Sequence, residues 1–563
     1  MVRVLSTNIT SPLGETTEQN YQAVKYGCSA LTRYEDRWGV QEPFAASLFT
    51  DGQTKAMEVE GFTRFESLVL HSVREALSHI SFDITSSRVV FILSTTKGNV
   101  EMLGQEDCGD REYPGTTAKA IARELGITTQ PIVVCNACIS GVAAQVLALR
   151  LLHSGLYDYA IVVGAEVQNK FIVSGFQSFK AVSEDPCRPF DIERLGLNLG
   201  EAAATMVLQA TDEASDEWHL TNGCVRNDAF HISAPSPKGD GYLLALNGVL
   251  DGVDKSALAT ISVHGTATMY NDQMESKAIQ RADCSDIPLT ALKGYYGHTM
   301  GAAGVLETIL TMRATDDGIV LGTRGFEEIG VSGKVCISNQ SSPTDKRTFV
   351  KMLSGFGGCN GGVLLTKNPI CEQPSHFASP LISHRVYITQ DGVSVDGTVF
   401  STRNTGSLLL KELYKSEIDD YPKFYKMDML TRLAFVASEL LLKAEGQTSE
   451  TPTEGRAIIF FNRTSSIVAD RQYMETIQDA ENYFPSPSAF VYTLPNITTG
   501  EIAIRHHYQG ETSFYILAEK DGELMDKIIR TSFLDKKTTS MIAGWIDCQD
   551  ESQFEAELSI YTL

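Results

Sequence analysis

Three short runs in this chain are apolar at nearly every interior position, and they constrain the fold more than any other feature. They are Arg88-Val-Val-Phe-Ile-Leu-Ser94, Asp158-Tyr-Ala-Ile-Val-Val-Gly-Ala-Glu166 and Arg456-Ala-Ile-Ile-Phe-Phe461. A strand with one wet face alternates polar and apolar residues, so a strand without a polar face must be covered on both sides. Helical patterns separate these runs: amphipathic over Arg64–Ile80, apolar over Gly141–Gly155, and helical again over Thr116–Leu125 and Lys426–Lys443. Further strands read at Val2–Leu5, Pro131–Cys135 and Ala203–Leu208. Alternating strands and helices with short connections imply α/β layering.

Composition narrows the class. The chain has 563 residues, 43% of them hydrophobic and 21% charged, which suits a globular chain with a sizeable core and excludes intrinsic disorder. At roughly 100–200 residues per domain, it holds about three to four domains or half-domains. No apolar run approaches the roughly 18 residues of a membrane span, and the start enters a strand without a secretory pattern. Eleven cysteines without metal spacing read as reduced thiols, so a cytoplasmic location is expected. A net charge of −23 argues against nucleic acid and against docking on anionic lipid.

Along the chain, a first segment covers 1–210. A second, 211–368, has strands near Ile261–His264, Lys334–Ser338 and Lys351–Leu353 and a helix over Met300–Ala314. Residues 369–384, with Pro369, Pro374 and Pro380, read as a linker. The third segment, 385–563, repeats the opening order of the first: strand, helix, buried strand, long loop, helix, strand.

Chemistry concentrates at three places. Asn136-Ala-Cys138-Ile-Ser-Gly141 joins a buried strand to a helix, where the helix dipole is expected to lower the thiol pKa and suit acyl transfer. Burial as a structural residue is the ordinary fate of a lone cysteine. Two histidines, each beside glycines at a strand end, make chance a weaker account: His264-Gly-Thr-Ala-Thr268 and Lys293-Gly-Tyr-Tyr-Gly-His298-Thr-Met-Gly301-Ala-Ala-Gly304, with Glu307 following. Gly355-Phe356-Gly-Gly-Cys-Asn360 lacks the strand–GxGxxG–helix frame of a dinucleotide loop.

These motifs, with Ser11-Pro-Leu-Gly14 and Arg188-Pro-Phe-Asp191 through Gly200-Glu201, resemble the β-ketoacyl-acyl-carrier-protein synthases of the I/II type over residues 1 to about 367. The resemblance implies a thiolase fold, a five-layer αβαβα arrangement of two half-domains. It also implies decarboxylative Claisen condensation in fatty-acid, polyene or polyketide synthesis. Cys138 would take the acyl chain, with the N–H groups of Cys138 and Phe356 as the oxyanion hole. Neutral His264 and His298 would hold the malonyl thioester carbonyl, Lys293 and Glu307 would order His298, and Phe356 would be the gate. A plain buried ion pair is the competing reading of Lys293 and Glu307. No cofactor and no metal is implied. Ala267, Ser354, Cys359 and a short loop between Thr95 and Thr116 depart from the family pattern and bear on chain-length preference.

The implied partner is an acyl carrier protein, with coenzyme A thioesters as the alternative donors. Carrier proteins are acidic, so docking on this acidic chain requires a local basic patch, with Lys55, Lys119 and Arg123 as candidates. The third segment resembles the N-terminal half of the same family, most closely chain-length factors, through Phe424–Leu442, Ser486–Asn496 and Gly500-Glu-Ile-Ala-Ile504. Where a nucleophile would stand it has Ala518-Glu-Lys-Asp-Gly522, so it reads as a non-catalytic third thiolase-like half. It is expected to pack on segment 1–210 as an internal pseudo-dimer, a conventional homodimer being the alternative. A thioester acyltransferase without decarboxylation and a carrier-binding scaffold are the competing functions.

Overall fold

The computed structural model describes residues 1–105, 109–213, 215–369, 379–446 and 453–563, so most of the proline-bearing linker, 370–378, lies outside the described residues. One strand plan is used three times. In the first segment the sheet runs Ile132–Val134, Val89–Ser94, Tyr159–Glu166, Ala202–Ala210, Val2–Thr10, with two parallel pairings followed by two antiparallel ones. The second has Pro288–Thr290, Leu258–Ser262, Thr348–Gly355, Cys359–Thr366, His219–Asn227 in the same order and sense. The third repeats it with Thr512–Ile516, Arg456–Asn462, Ser540–Cys548, Phe554–Thr562, Leu381–Thr389. The architecture is the expected α/β thiolase-like fold with a third half.

Some elements differ from the sequence reading. The opening strand continues to Thr10, and the first strand of the third segment begins at Leu381, inside the expected linker. The strand Cys359–Thr366 opens with Cys-Asn-Gly-Gly, which looks like a turn. It is a strand because it pairs with Thr348–Gly355 on one side and His219–Asn227 on the other, and its Gly362 makes room for Met352, whose Sδ lies 2.2 Å from where a Cβ would be. The helix Lys170–Ser178 is a further element, with buried Phe171, Ile172, Val173 and Phe176.

Helix character follows burial. The helix Ser140–His153 and the helix Ala303–Asp316 pack together between the sheets of the first two segments, and every residue from Ser140 to Leu152 is buried. A helix covered on all sides has no polar stripe. Their backbones touch where a Cβ on Gly304 would lie 2.4 Å from Val142 N. The corresponding helix of the third segment, Gly522–Ser532, buries Leu524, Met525, Ile528 and Ile529 on one face. Its other face carries Glu523–Lys527 and Asp526–Arg530 pairs, each 2.6 Å apart.

The third segment joins the first through its sheet. Tyr515 pairs with Val134 and Ile516 with Val133, antiparallel, so two edge strands close on each other. The Cys135 N–H also donates to Phe514 O at 3.1 Å. Ion pairs widen this seam to both other segments: Lys97–Asp470 at 2.9 Å and Arg150–Glu511 at 2.7 Å from the first, and Arg226–Asp535 at 2.7 Å from the second. Lys119, a candidate docking residue, is paired with Glu519 at 2.9 Å across it. The Phe490 ring fills the place of a Cβ on Gly175, 2.2 Å from its position. No helix among the described residues is long and apolar enough to cross a membrane.

Arg226 is 2% exposed and both guanidinium nitrogens facing Asp535 donate to its carboxylate, at 2.7 and 3.0 Å. Asp535→Ala leaves that charge buried and unpaired, so a loss of about 3–5 kcal/mol is expected in urea unfolding. A loss under about 1 kcal/mol would show that the seam does not depend on this pair.

Candidate active site

Cys138 lies in a short turn, Ala137–Ile139, between the strand Ile132–Val134 and the helix Ser140–His153. Ala137 takes φ +47°, a left-handed conformation that costs a non-glycine residue and turns the chain sharply. Ser140 holds the turn: its hydroxyl donates to Ala137 O at 2.6 Å and accepts from Asn136 N at 2.8 Å. The Asn136 side chain is bound to the third segment, donating to Thr512 O at 3.1 Å and accepting from Phe514 N at 2.7 Å. The elbow is therefore fixed from both sides of the seam.

His264 follows the strand Leu258–Ser262. The N–H groups of His264 and Gly265 donate to the Glu275 carboxylate at 2.8 and 2.7 Å. Ala267, where glycine is usual, adopts φ +60° and keeps the turn at a cost in strain. His298 is set by its backbone, whose N–H donates to Asn198 O at 2.6 Å and whose carbonyl accepts from Gly200 N at 3.0 Å.

Cys138 Sγ and a ring nitrogen from each of His264 and His298 lie within 4.8 Å of one another, with ring centroids 5.0 Å apart. Sulfur plus two imidazoles resembles a zinc ligand set. The hydrogen bonding does not suit one. The Met300 N–H donates to His298 Nδ1 at 3.2 Å, so the neutral ring carries its proton on Nε2. A metal at Nε2 would require a proton on Nδ1, directed at the Met300 N–H. Both His298 Nε2 and His264 Nδ1 are buried without a hydrogen-bond partner among the described residues. His298 is thus an unspent donor facing the thiol.

Burial, then the ammonium of Lys293, holds both imidazoles well below the usual histidine range, and Lys351 adds to the effect. That direction favours neutral rings at neutral pH. The thiol corrects the sequence reading. Burial pushes the Cys138 thiol up to about 12 against the pull of Lys293, the opposite direction from the one its place at a helix start suggests.

Lys293 and Glu307 meet, but not at His298. Lys293 Nζ donates to Glu307 at 2.8 Å and to the backbone carbonyl of His264 at 2.6 Å. Sequence reasoning missed Lys351, whose ammonium pairs with the other Glu307 oxygen and donates to Val263 O at 2.8 Å. Its signal was a lysine inside the apolar run Phe349-Val-Lys-Met-Leu353. Burial would raise the Glu307 carboxyl, yet the two ammonium groups hold it below its ordinary value, while burial lowers Lys351 to about 8.

Phe356 follows Gly355 on the loop closing the site. A Cβ on Gly355 would lie 3.2 Å from Cys138 N, so this backbone runs directly past the thiol's own N–H. The Phe356 ring packs on Phe179 and Phe176, with centroids 5.4 and 6.2 Å away.

Comparison with known proteins identifies the family. The pattern of the β-ketoacyl synthase N-terminal domain matches residues 1–214 and that of the C-terminal domain matches 220–327, together more than half of the chain. The 3-oxoacyl-[acyl-carrier-protein] synthase 2 of Mycobacterium leprae is 30% identical over 44% of this chain, which spans 63% of that relative's length. The Vibrio harveyi synthase of the same name is 24% identical over 65% of this chain and 98% of its own. Among solved structures, the PfaC keto synthase–chain length factor aligns over 100% of this chain and 78% of its own, with a TM-score of 0.75 at 14% identity. That likeness reaches through the third segment and concerns the fold. The chain belongs to the β-ketoacyl synthase family.

Proposed function

We propose that the protein condenses an acyl thioester with a malonyl thioester, releasing CO₂ and a β-ketoacyl thioester, in fatty-acid, polyene or polyketide synthesis. The observation that carries this reading is His298, held by Met300 as an unpaired Nε2–H donor beside Cys138. Cys138 Sγ bonds to the acyl carbonyl, the carrier's C–S bond breaks, and the thiol proton goes to the departing thiolate. Malonyl thioester then loses its carboxylate as CO₂, leaving the electron pair on Cα as an enolate. His264 and His298 donate to the enolate oxygen, and neutral rings do so without first losing a charge. The carbanion attacks the acyl-Cys138 carbonyl, a C–C bond forms, and the sulfur leaves and regains a proton.

Lys293, Glu307 and Lys351 position the His264 strand end and supply the charge that keeps the rings neutral. Phe356 gates the thiol. The acyl donor is carried on an acyl carrier protein, a reading supported by the relatives' names. The third segment serves as a built-in, non-catalytic half in the place of a dimer partner, and Ser486–Asn496 lines the acyl end of the site. The seam between Thr512–Ile516 and Ile132–Val134, and the Phe490 ring on Gly175, support that arrangement.

Cys138→Ala should abolish acyl loading in intact-protein mass spectrometry, while His298→Ala should load acyl groups and lose malonyl decarboxylation by about a hundredfold or more. Normal loading of Cys138→Ala would remove the nucleophile. With Lys351 lowered to about 8, its charge changes between about pH 8 and about pH 7. Below that, because both rings stay neutral well below ordinary histidine values, decarboxylation by the acyl-loaded enzyme should hold level through about pH 6.5, where ordinary histidines are half protonated. A fall centred near that pH would contradict neutral donors. Light scattering of the full chain should give the mass of one chain, and a stable two-chain species joined through the first segment would sink the built-in partner.

A further inference from the structure

The geometry points to Asn496 as a positioning residue for the gate: from the third segment it latches the Phe356 loop across the seam. Access to Cys138 is thereby controlled by the half that carries no nucleophile. This inference rests on the reading of Phe356 as the gate.

Asn496 Nδ2 donates to the Phe356 backbone carbonyl at 2.8 Å and lies 3.8 Å from Cys359 Sγ. The residue is 2% exposed, and its Oδ1 is buried without a hydrogen-bond partner among the described residues. An asparagine kept only for local structure would use both ends of its amide, because an unpaired buried carbonyl costs stability. Here the donor is spent on the gate. In the loop it grips, Gly357 and Gly358 take φ +90° and +73°, a left-handed conformation that glycine adopts without strain.

The helix that follows Asn496, Ile497–His506, lies directly on this loop. A Cβ on Gly500 would sit 2.6 Å from Gly357 O and 2.9 Å from Gly357 Cα, a backbone-on-backbone approach that only glycine allows. A second amide, Asn227 Nδ2, donates to Gly357 O at 2.7 Å and to Thr512 Oγ1 of the third segment at 3.0 Å. The resting loop is therefore held by donors on both sides, one of them across the seam.

The two related segments differ where this matters. In the first, the chain enters the helix Pro114–Leu125 from Tyr113, after a short path from the strand ending at Ser94. In the third, it runs from the strand ending at Asn462 through the helix Pro487–Tyr492 before reaching Asn496. The longer arm is on the segment that reaches the Phe356 loop.

The test is the rate at which iodoacetamide alkylates Cys138 in the full-length protein, read by peptide mass spectrometry. Asn496→Leu keeps the side chain's shape and removes the donor, and Asn496→Ala removes both. Each should speed alkylation about fivefold, the effect of losing one hydrogen bond of ordinary net strength. Phe356→Ala should also speed it, and adding Asn496→Leu to Phe356→Ala should bring no further gain, because the latch acts only through the ring. Wild-type rates in both Asn496 variants beside a faster Phe356→Ala would overturn the latch and leave the gate standing. Gains that multiply in the double variant would also overturn it. An unchanged rate in Phe356→Ala would remove the gate, and the latch with it.

Discussion

The edge strand Ile132–Val134 ends two residues before the turn that carries Cys138, and its free edge is what the rest of the molecule is arranged around. Left open, that edge would present unpaired N–H and C=O groups beside a reactive thiol. The third segment closes it with Thr512–Ile516, in antiparallel register. The same strand then supplies both partners of the Asn136 side chain, so sheet closure and elbow geometry are one interaction. A break at the seam would disturb the sulfur before it disturbed either sheet.

Charge behind the site follows a similar economy. Two buried ammonium groups, Lys293 and Lys351, converge on one carboxylate, Glu307. Buried ions are costly unless paired and hydrogen-bonded, and here each lysine also donates to a backbone carbonyl at the end of the strand before His264. The surplus positive charge is felt by both imidazoles, and together with burial it disfavours their protonation. Neutral donors can stabilise an anion that exists only after CO₂ has left, whereas a charged pair would already bind the malonyl carboxylate.

Much of this was legible in the sequence, and for a physical reason. Runs with no polar face admit one solution, so Val89–Ser94, Tyr159–Glu166 and Arg456–Asn462 fell close to their expected bounds. Cys138, His264 and His298 stood out because strand-end glycines left few other uses for those residues. Long-range pairing was illegible. Lys351 looked like one charge in an apolar strand, and only the fold brings it to Glu307, 44 residues away in sequence. The thiol pKa was misread because local sequence shows the helix terminus but not the desolvation by elements far along the chain. The direct hydrogen bond of Lys293 was not legible either: its spacing places it near His298, while its ammonium also donates to the carbonyl of His264.

The third segment keeps the strand plan of the first without a cysteine at the corresponding elbow, where Ala518-Glu-Lys-Asp-Gly522 stands. Its strand order is unchanged, since that order buries the core whatever the elbow carries. Its middle helix has changed. In the first segment the helix Ser140–His153 lies between two sheets and is buried almost throughout. In the third, Gly522–Ser532 has one apolar face and one face of ion pairs, because only one side is covered by this chain. Exposed i,i+4 pairs of that kind add only about 0.3–0.5 kcal/mol each, so their value here lies more in keeping the face wet than in stabilising it. What the half retains without such relaxation are the contacts that cross the seam: Phe490 on Gly175, Asn496 on the Phe356 loop, and the strand beside Ile132–Val134. Constraint has stayed where the third segment touches the first two and has lapsed where it touches only water.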